Sequence, residues 1–140
     1  MNITNDNVFE KIVAGDLPCF KVYEDASVLA FLDINPVSRG HTVVIPKRKS
    51  ATLADLPEAD AAAIGAALPR IMRAVLGATG TADANLLQNN GAAAGQVVRH
   101  VHFHIIPKHA DGSGLPFEWP KRTLDMTSGA ELAKRIQSHL

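Results

Sequence analysis

The chain has one cysteine in 140 residues, so no internal disulfide framework holds it together. It has no surplus of either charge: 14 lysines and arginines stand against 14 aspartates and glutamates. Such a balance argues against non-specific binding to nucleic acid or to a membrane face, although a small local anion site stays open. No apolar run approaches the roughly 18 residues of a membrane span. The opening Met1-Asn2-Ile3-Thr4-Asn5-Asp6 lacks the basic and apolar regions of a signal peptide. There is no internal repeat. With 46% hydrophobic and 20% charged residues, an ordinary globular balance, these absences predict a single soluble, cytoplasmic domain over 1–140.

What is present is concentrated in Arg99-His100-Val101-His102-Phe103-His104-Ile105-Ile106-Pro107. Three histidines alternate with apolar residues, the period of a strand. The spacing predicts one strand with three imidazoles on one face, roughly 7 Å apart, and Val101, Phe103 and Ile105 turned to a core. Pro107 ends it. A helix would scatter the rings around its circumference. A solvent-facing strand rich in histidine is the plainest reading of such a row. A metal site is the second, since imidazole is a frequent zinc ligand. The third is nucleophilic and acid–base chemistry, one ring attacking while its neighbours bind an anion and move protons. The histidines alone do not separate the last two.

Their neighbours favour phosphoryl chemistry. Asn90-Gly91-Ala92-Ala93-Ala94-Gly95 is a small loop that tolerates positive φ and brings backbone N–H groups toward the imidazoles, a setting for an oxyanion. Asn89 and Gln96 add neutral donors. No carboxylate lies within six residues of the three histidines on either side, which leaves a zinc set incomplete in sequence unless folding brings Asp33 or His41 near.

The remaining pattern predicts an α+β fold. A helix over 6–14 is capped by Asp6, carries Val8, Phe9, Ile12 and Val13 on one stripe, and exits at Gly15. Strands follow near 20–24, 28–32 and 42–45, with a turn at Glu24-Asp25-Ser27 and a loop over 33–41; the short connections suggest antiparallel pairing. Lys47-Arg48-Lys49 reads as a solvated strand end. A long helix over 57–76 buries Ile64, Leu68, Ile71 and Val75 and kinks at Pro69. After a strand over 84–89 and the histidine strand, Leu115-Pro116-Phe117-Glu118-Trp119-Pro120 forms an extended arm that packs its rings elsewhere. Ser128 to Glu131 makes a capping box for a last helix with Leu132 and Ile136 facing inward.

His100 to Ile106 matches a His-φ-His-φ-His-φ-φ signature. Two further blocks occur in order before it: Phe31-Leu32-Asp33-Ile34-Asn35-Pro36 through Gly40-His41-Thr42-Val43-Val44-Ile45-Pro46-Lys47, and Asn89-Asn90-Gly91 with Gly95-Gln96-Val97-Val98. Through residues 7–108 the chain resembles the histidine triad (HIT) family of nucleotide hydrolases and transferases, in the form of the short bacterial members of its nucleoside phosphoramidase-like branch. The resemblance implies a HIT-like fold with one long helix and short terminal helices, a core over 7–108, a C-terminal arm and helix over 109–140, and a symmetric homodimer.

The resemblance also implies a reaction: cleavage of a purine nucleoside phosphoramidate, or a related ester or anhydride, through a nucleotidyl-histidine. His102 would be the nucleophile, His100 and His104 would assist it, and His41 would sit behind them in a proton network. Asp33 would bind the ribose and Ile34 would line the base pocket. Asn89, Gly95, Gln96 and the backbone of Val97 would hold the α-phosphate and leaving group. Alternatives are a dinucleoside polyphosphate hydrolase, a nucleotide-binding module with weak catalysis, or a metal-binding protein. No cofactor is implied for the chemistry. Many bacterial members carry a structural zinc, but Asn7, Glu10 and Lys49 stand at three of its four ligand positions here, so that zinc is expected to be absent and Cys19 to serve in packing. Trp119 either covers its own core or reaches a partner subunit's site.

Overall fold

A computed structural model describes residues 7–140. Asp6, the expected helix cap, and the opening segment read for a leader lie outside the described residues. Helix α1 (Val8–Ala14) ends at Gly15 in the left-handed conformation. Strands β1 (Lys21–Glu24) and β2 (Val28–Leu32) form a hairpin. Its turn is closed by the Asp25 carboxylate, which accepts the amides of Ser27 and Val28, each at 2.8 Å. Strand β3 (Thr42–Pro46), helix α2 (Glu58–Thr79), strands β4 (Asp83–Gln88) and β5 (Phe103–Lys108), and helix α3 (Met126–Gln137) complete the chain. The sheet runs β1-β2-β3-β5-β4, and every neighbouring pair is antiparallel.

Alternation along the strands gives the sheet two different faces. Val28, Ala30, Val44 and Ile105 point to α2 and meet Ile64, Ala67, Ile71 and Val75. Leu29, Phe31, Val43 and Ile45 point the other way and are covered by Phe9 of α1, with Cys19 packed at the margin. The large helix therefore stabilises one face and leaves the second to a short helix. Chemistry is placed on that second face.

Several sequence expectations are corrected here. Helix α2 runs past Gly77 to Thr79, beyond its expected end, and continues through Pro69 as the one element expected. By length and composition it is long and apolar enough to cross a membrane, against the expectation that nothing approaches that length. Its buried stripe is packed on the sheet, and the charged Arg70 and Arg73 lie on its exposed side. The basic cluster is paired rather than free: Lys47 Nζ lies 2.8 Å from Glu24, Arg48 Nε 3.0 Å from Asp60 and Lys49 Nζ 2.8 Å from Glu10. It ties the exit of β3 to the hairpin, to α2 and to α1 in turn. At the C-terminus the cap of α3 is Asp125, whose carboxylate accepts the Ser128 amide at 2.9 Å; Leu132 and Ile136 are exposed. No residue of that helix is buried among the described residues. The rings of Phe117 and Trp119 meet each other at 4.7 Å between centroids, and both stay exposed.

Candidate active site

Only His104 lies in a strand. The chain bends at 98–100 and β5 begins at Phe103, so the expected continuous histidine strand is corrected. The His100 amide donates back to the Val98 carbonyl at 2.9 Å, a three-residue turn that takes the segment out of the ladder. Apolar alternation does not reveal such a turn. The rings are consequently closer than a flat strand would set them: His102 and His104 are 4.9 Å apart between centroids, edge to face. Phe9 touches both buried rings, at 5.7 Å from His100 and 5.1 Å from His102. Its contact with the histidines was not legible in the sequence, where it reads only as part of an apolar stripe.

His104 is paired across the sheet with Val43 on β3, and residue 41 shares that face by the period of two. His41 thus arrives beside His104, with their ring nitrogens 2.8 Å apart. Gly40 makes the approach possible. It has φ +92°, and a Cβ there would overlap the Thr79 side chain at the end of α2. Asp33 closes the group: Oδ2 is 3.5 Å from His41 Nε2, while Oδ1 accepts the Asn35 amide at 2.8 Å.

Hydrogen-bond partners fix where the protons are, because a carbonyl only accepts and an amide N–H only donates. His102 Nδ1 lies 2.7 Å from the His100 carbonyl, so Nδ1 carries the proton and Nε2 has a bare lone pair. His100 Nε2 donates to the Pro46 carbonyl at 2.8 Å; its Nδ1 is buried without a partner. His41 Nδ1 accepts the Val37 amide at 3.0 Å. Its Nε2 therefore holds the proton and donates to His104 Nδ1, leaving the proton of His104 on Nε2. The Val37 amide, like the Pro46 carbonyl, is a backbone group that no motif announces.

All four rings are held neutral near pH 7. Burial lowers the pKa of His41, His100 and His102, with partial opposition from Asp33 at His41, from the Pro46 carbonyl and Glu10 at His100, and from the His100 carbonyl and Asp33 at His102. Burial, with the neighbouring His102 and His41, pushes His104 down to about 4. A neutral imidazole with one nitrogen proton-bonded and the other bare is a nucleophile already in its reactive form.

The loop before the triad supplies donors. Gly91 and Gly95 bracket it at φ +92° and +93°. The amides of Val97 and Arg99 donate to no acceptor among the described residues, and Val97 and Ile34 are the most open apolar side chains near the site, at 77% and 78% exposure. Asn89 makes only a long 3.5 Å contact to the Gly95 carbonyl and keeps capacity for a ligand. The side-chain amide of Gln96 is buried and engaged with Gly91, Ala51 and Val98. An apolar cleft of about 350 Å³ lined by Val22, Leu32, Gly40, Thr42, Val75 and Ala78 lies on the α2 side, and none of the four histidines lines it.

Two metal sets can be weighed. Asp33, His41 and His104 bring ligand atoms within 4.8 Å of one another. A metal on His41 Nε2 would require a lone pair where the Val37 bond dictates a proton, so the group suits proton transfer better than ligation. At the other place, Asn7 is exposed and the Glu10 carboxylate is taken by Lys49. One bare nitrogen on His100 remains, and those residues do not make a zinc set.

The sequence pattern of the HIT domain matches residues 14–111. The chain is 44% identical over 133 residues to the adenosine 5'-monophosphoramidase hnt1 of Schizosaccharomyces pombe, covering 95% of this chain and 97% of that one. It is 50% identical over 106 residues to the adenylylsulfatase HINT3 of Arabidopsis thaliana, covering 76% of this chain and 54% of that longer protein. The crystal structure of a HIT family protein from Bacillus subtilis superposes with a TM-score of 0.90 at 39% identity, covering 95% and 96% of the two chains. Fold, motif order and full-length likeness agree: this chain belongs to the HIT domain family.

Proposed function

We propose that the protein hydrolyses purine nucleoside 5'-phosphoramidates, or related nucleoside phosphate esters and anhydrides, to a nucleoside monophosphate. The observation that carries this reading is the 2.7 Å contact of His102 Nδ1 with the His100 carbonyl; a carbonyl only accepts, so the proton belongs on Nδ1 and Nε2 is left to attack. Nε2 bonds to the α-phosphorus, the bond to the leaving group breaks, and the leaving group departs with the electron pair and takes a proton from solvent. The positive charge that develops on His102 is stabilised through Nδ1–H by the same carbonyl. Water then attacks the phosphorus of the nucleotidyl-histidine, the P–N bond breaks with its electron pair returning to Nε2, and the proton that the water loses goes back to solvent. His104 Nε2–H and the open amides of Val97 and Arg99 would hold the phosphate oxygens, Asp33 the ribose and Ile34 the base. The S. pombe and A. thaliana relatives, named for an amine and a sulfate leaving group, support a common adenylyl half with a variable leaving half.

A symmetric homodimer and a cytoplasmic setting belong to the same proposal. Strand β4 is an open sheet edge with Leu86 and Leu87 exposed, and α3 presents Leu132 and Ile136 without cover; a second copy would bury both. The test of the chemistry is intact-protein mass after brief, acid-quenched mixing with an adenosine phosphoramidate, wild type beside His102→Gly. A transient gain of one nucleoside monophosphate on wild type alone is expected. Turnover by both proteins would remove His102 from the role.

A further inference from the structure

Gln96 is 7% exposed, and every polar atom of its side chain is committed. Oε1 accepts the Gly91 amide at 2.8 Å. Nε2 donates to the Ala51 carbonyl at 2.6 Å and to the Val98 carbonyl at 2.9 Å. Its backbone amide donates to the Gly91 carbonyl at 3.1 Å. A primary amide has two hydrogens, and both are spent inside the protein. None is left for a phosphate oxygen.

Those bonds matter because His100 and His102 precede the sheet ladder. The segment that holds them is the exit of β3. Pro46 accepts from the His100 ring at 2.8 Å, Ser50 from the Val101 amide at 2.8 Å, and Ala51 from Gln96 at 2.6 Å. The Val98 carbonyl accepts twice, from Gln96 Nε2 and from the His100 amide. That second bond sets the turn which aims the His100 carbonyl at His102 Nδ1. We propose that Gln96 is a positioning residue for His102: it fixes Val98, hence the turn, hence the carbonyl that holds the attacking ring. The inference rests on the reading of His102 as the nucleophile.

The variants are Gln96→Met, which keeps the length and loses all three bonds, and Gln96→Glu, which keeps the Gly91 acceptor and turns an oxygen toward two carbonyls. Both are expected to lower kcat for an adenosine phosphoramidate by roughly tenfold to hundredfold, the scale of a misplaced reacting group, while the Kd for AMP stays within about threefold of wild type. In protein labelled with 15N-histidine, the His102 ring should move from a fixed Nδ1–H tautomer toward an average of two. An unchanged kcat, or a loss of AMP affinity matching the loss of kcat/KM with the tautomer intact, would overturn the proposal. Should the variants not fold, wild type decides: the Gln96 side-chain amide protons should exchange slowly and keep their shifts when AMP is added, and fast exchange or a large shift would overturn it. Failure of the nucleophile reading looks different, as wild type would then show no nucleotidyl adduct whatever Gln96 does.

Discussion

The ring of His102 is oriented by the carbonyl of His100, two residues back, at 2.7 Å. In a regular ladder that carbonyl would bond a neighbouring strand. The turn at 98–100 withdraws it and turns it to the imidazole, so the break in the strand is what leaves His102 Nε2 bare. Burial beneath Phe9 then keeps the ring neutral.

This arrangement sets the pH dependence. His102 has its pKa lowered, chiefly by burial, so it keeps its lone pair below the ordinary imidazole value of about 6.5. Activity is lost only as pH falls through the lowered value and Nε2 takes a proton. The acid limb of the single-turnover rate against pH should therefore lie below 6.5. Phe9→Ala, which admits water to His100 and His102, should move that limb upward toward 6.5 and cost about 3–5 kcal/mol of stability. A limb at or above 6.5 in wild type would contradict the neutral, buried nucleophile.

His41 decides the tautomer of His104. With Val37 donating to Nδ1 and the proton held on Nε2, it leaves His104 only Nε2–H to offer a ligand. His41→Ala should lower kcat by roughly tenfold to hundredfold, the lower end of acid–base effects, with little change in AMP binding. Single-turnover rates and calorimetric AMP titration separate the two. Equal losses in both would make His41 a binding residue.

Much of this was legible in the sequence, and the failures share a cause. The strands at 28–32 and 42–45 and the buried stripe of α2 follow from side-chain periodicity, which records which face is buried, whereas the place of His41 comes only through the family resemblance. The turn at Arg99, the Pro46 and His100 carbonyls and the Val37 amide do not, since backbone groups are the same at every residue. Gln96 reads in sequence as a neutral donor because its type can bind oxygen; its bond to the Ala51 carbonyl, 45 residues away, is set by folding. The inward Leu132 and Ile136 failed for another reason. Their apolar face is real, but nothing among the described residues covers it.

Gly40 carries a backbone requirement that a stability measurement reads directly. At φ +92°, with the Thr79 methyl against the place a Cβ would occupy, Gly40→Ala combines backbone strain with overlap and should cost about 2–4 kcal/mol. Adding Thr79→Ser, which removes the methyl, should recover the overlap part and leave the strain. Because His41 follows immediately, kcat should fall in the single variant more than in the double. Denaturant melts that show no loss for Gly40→Ala would mean that the loop over 33–41 is not held against α2 as described.

The ion pair at the end of β3 predicts behaviour toward metal. Lys49 and Glu10 meet at 2.8 Å with both side chains well exposed, so solvent screening leaves the pair little to contribute, and Glu10→Gln should barely change Tm. We expect neither Tm nor activity to respond to prolonged dialysis against a chelator, because a lysine and an asparagine replace two ligands and the one carboxylate is already paired. The stronger test is gain of function. His100 Nδ1 is buried and unpartnered, with its lone pair available, so Asn7→Cys, Glu10→Cys and Lys49→His together would supply three ligands around an existing fourth. That triple variant should hold one zinc per chain and melt higher with metal than without. If instead the wild-type protein holds stoichiometric zinc and loses stability on chelation, the assignment of Glu10 and Lys49 as a metal-free tie between α1 and β3 is wrong.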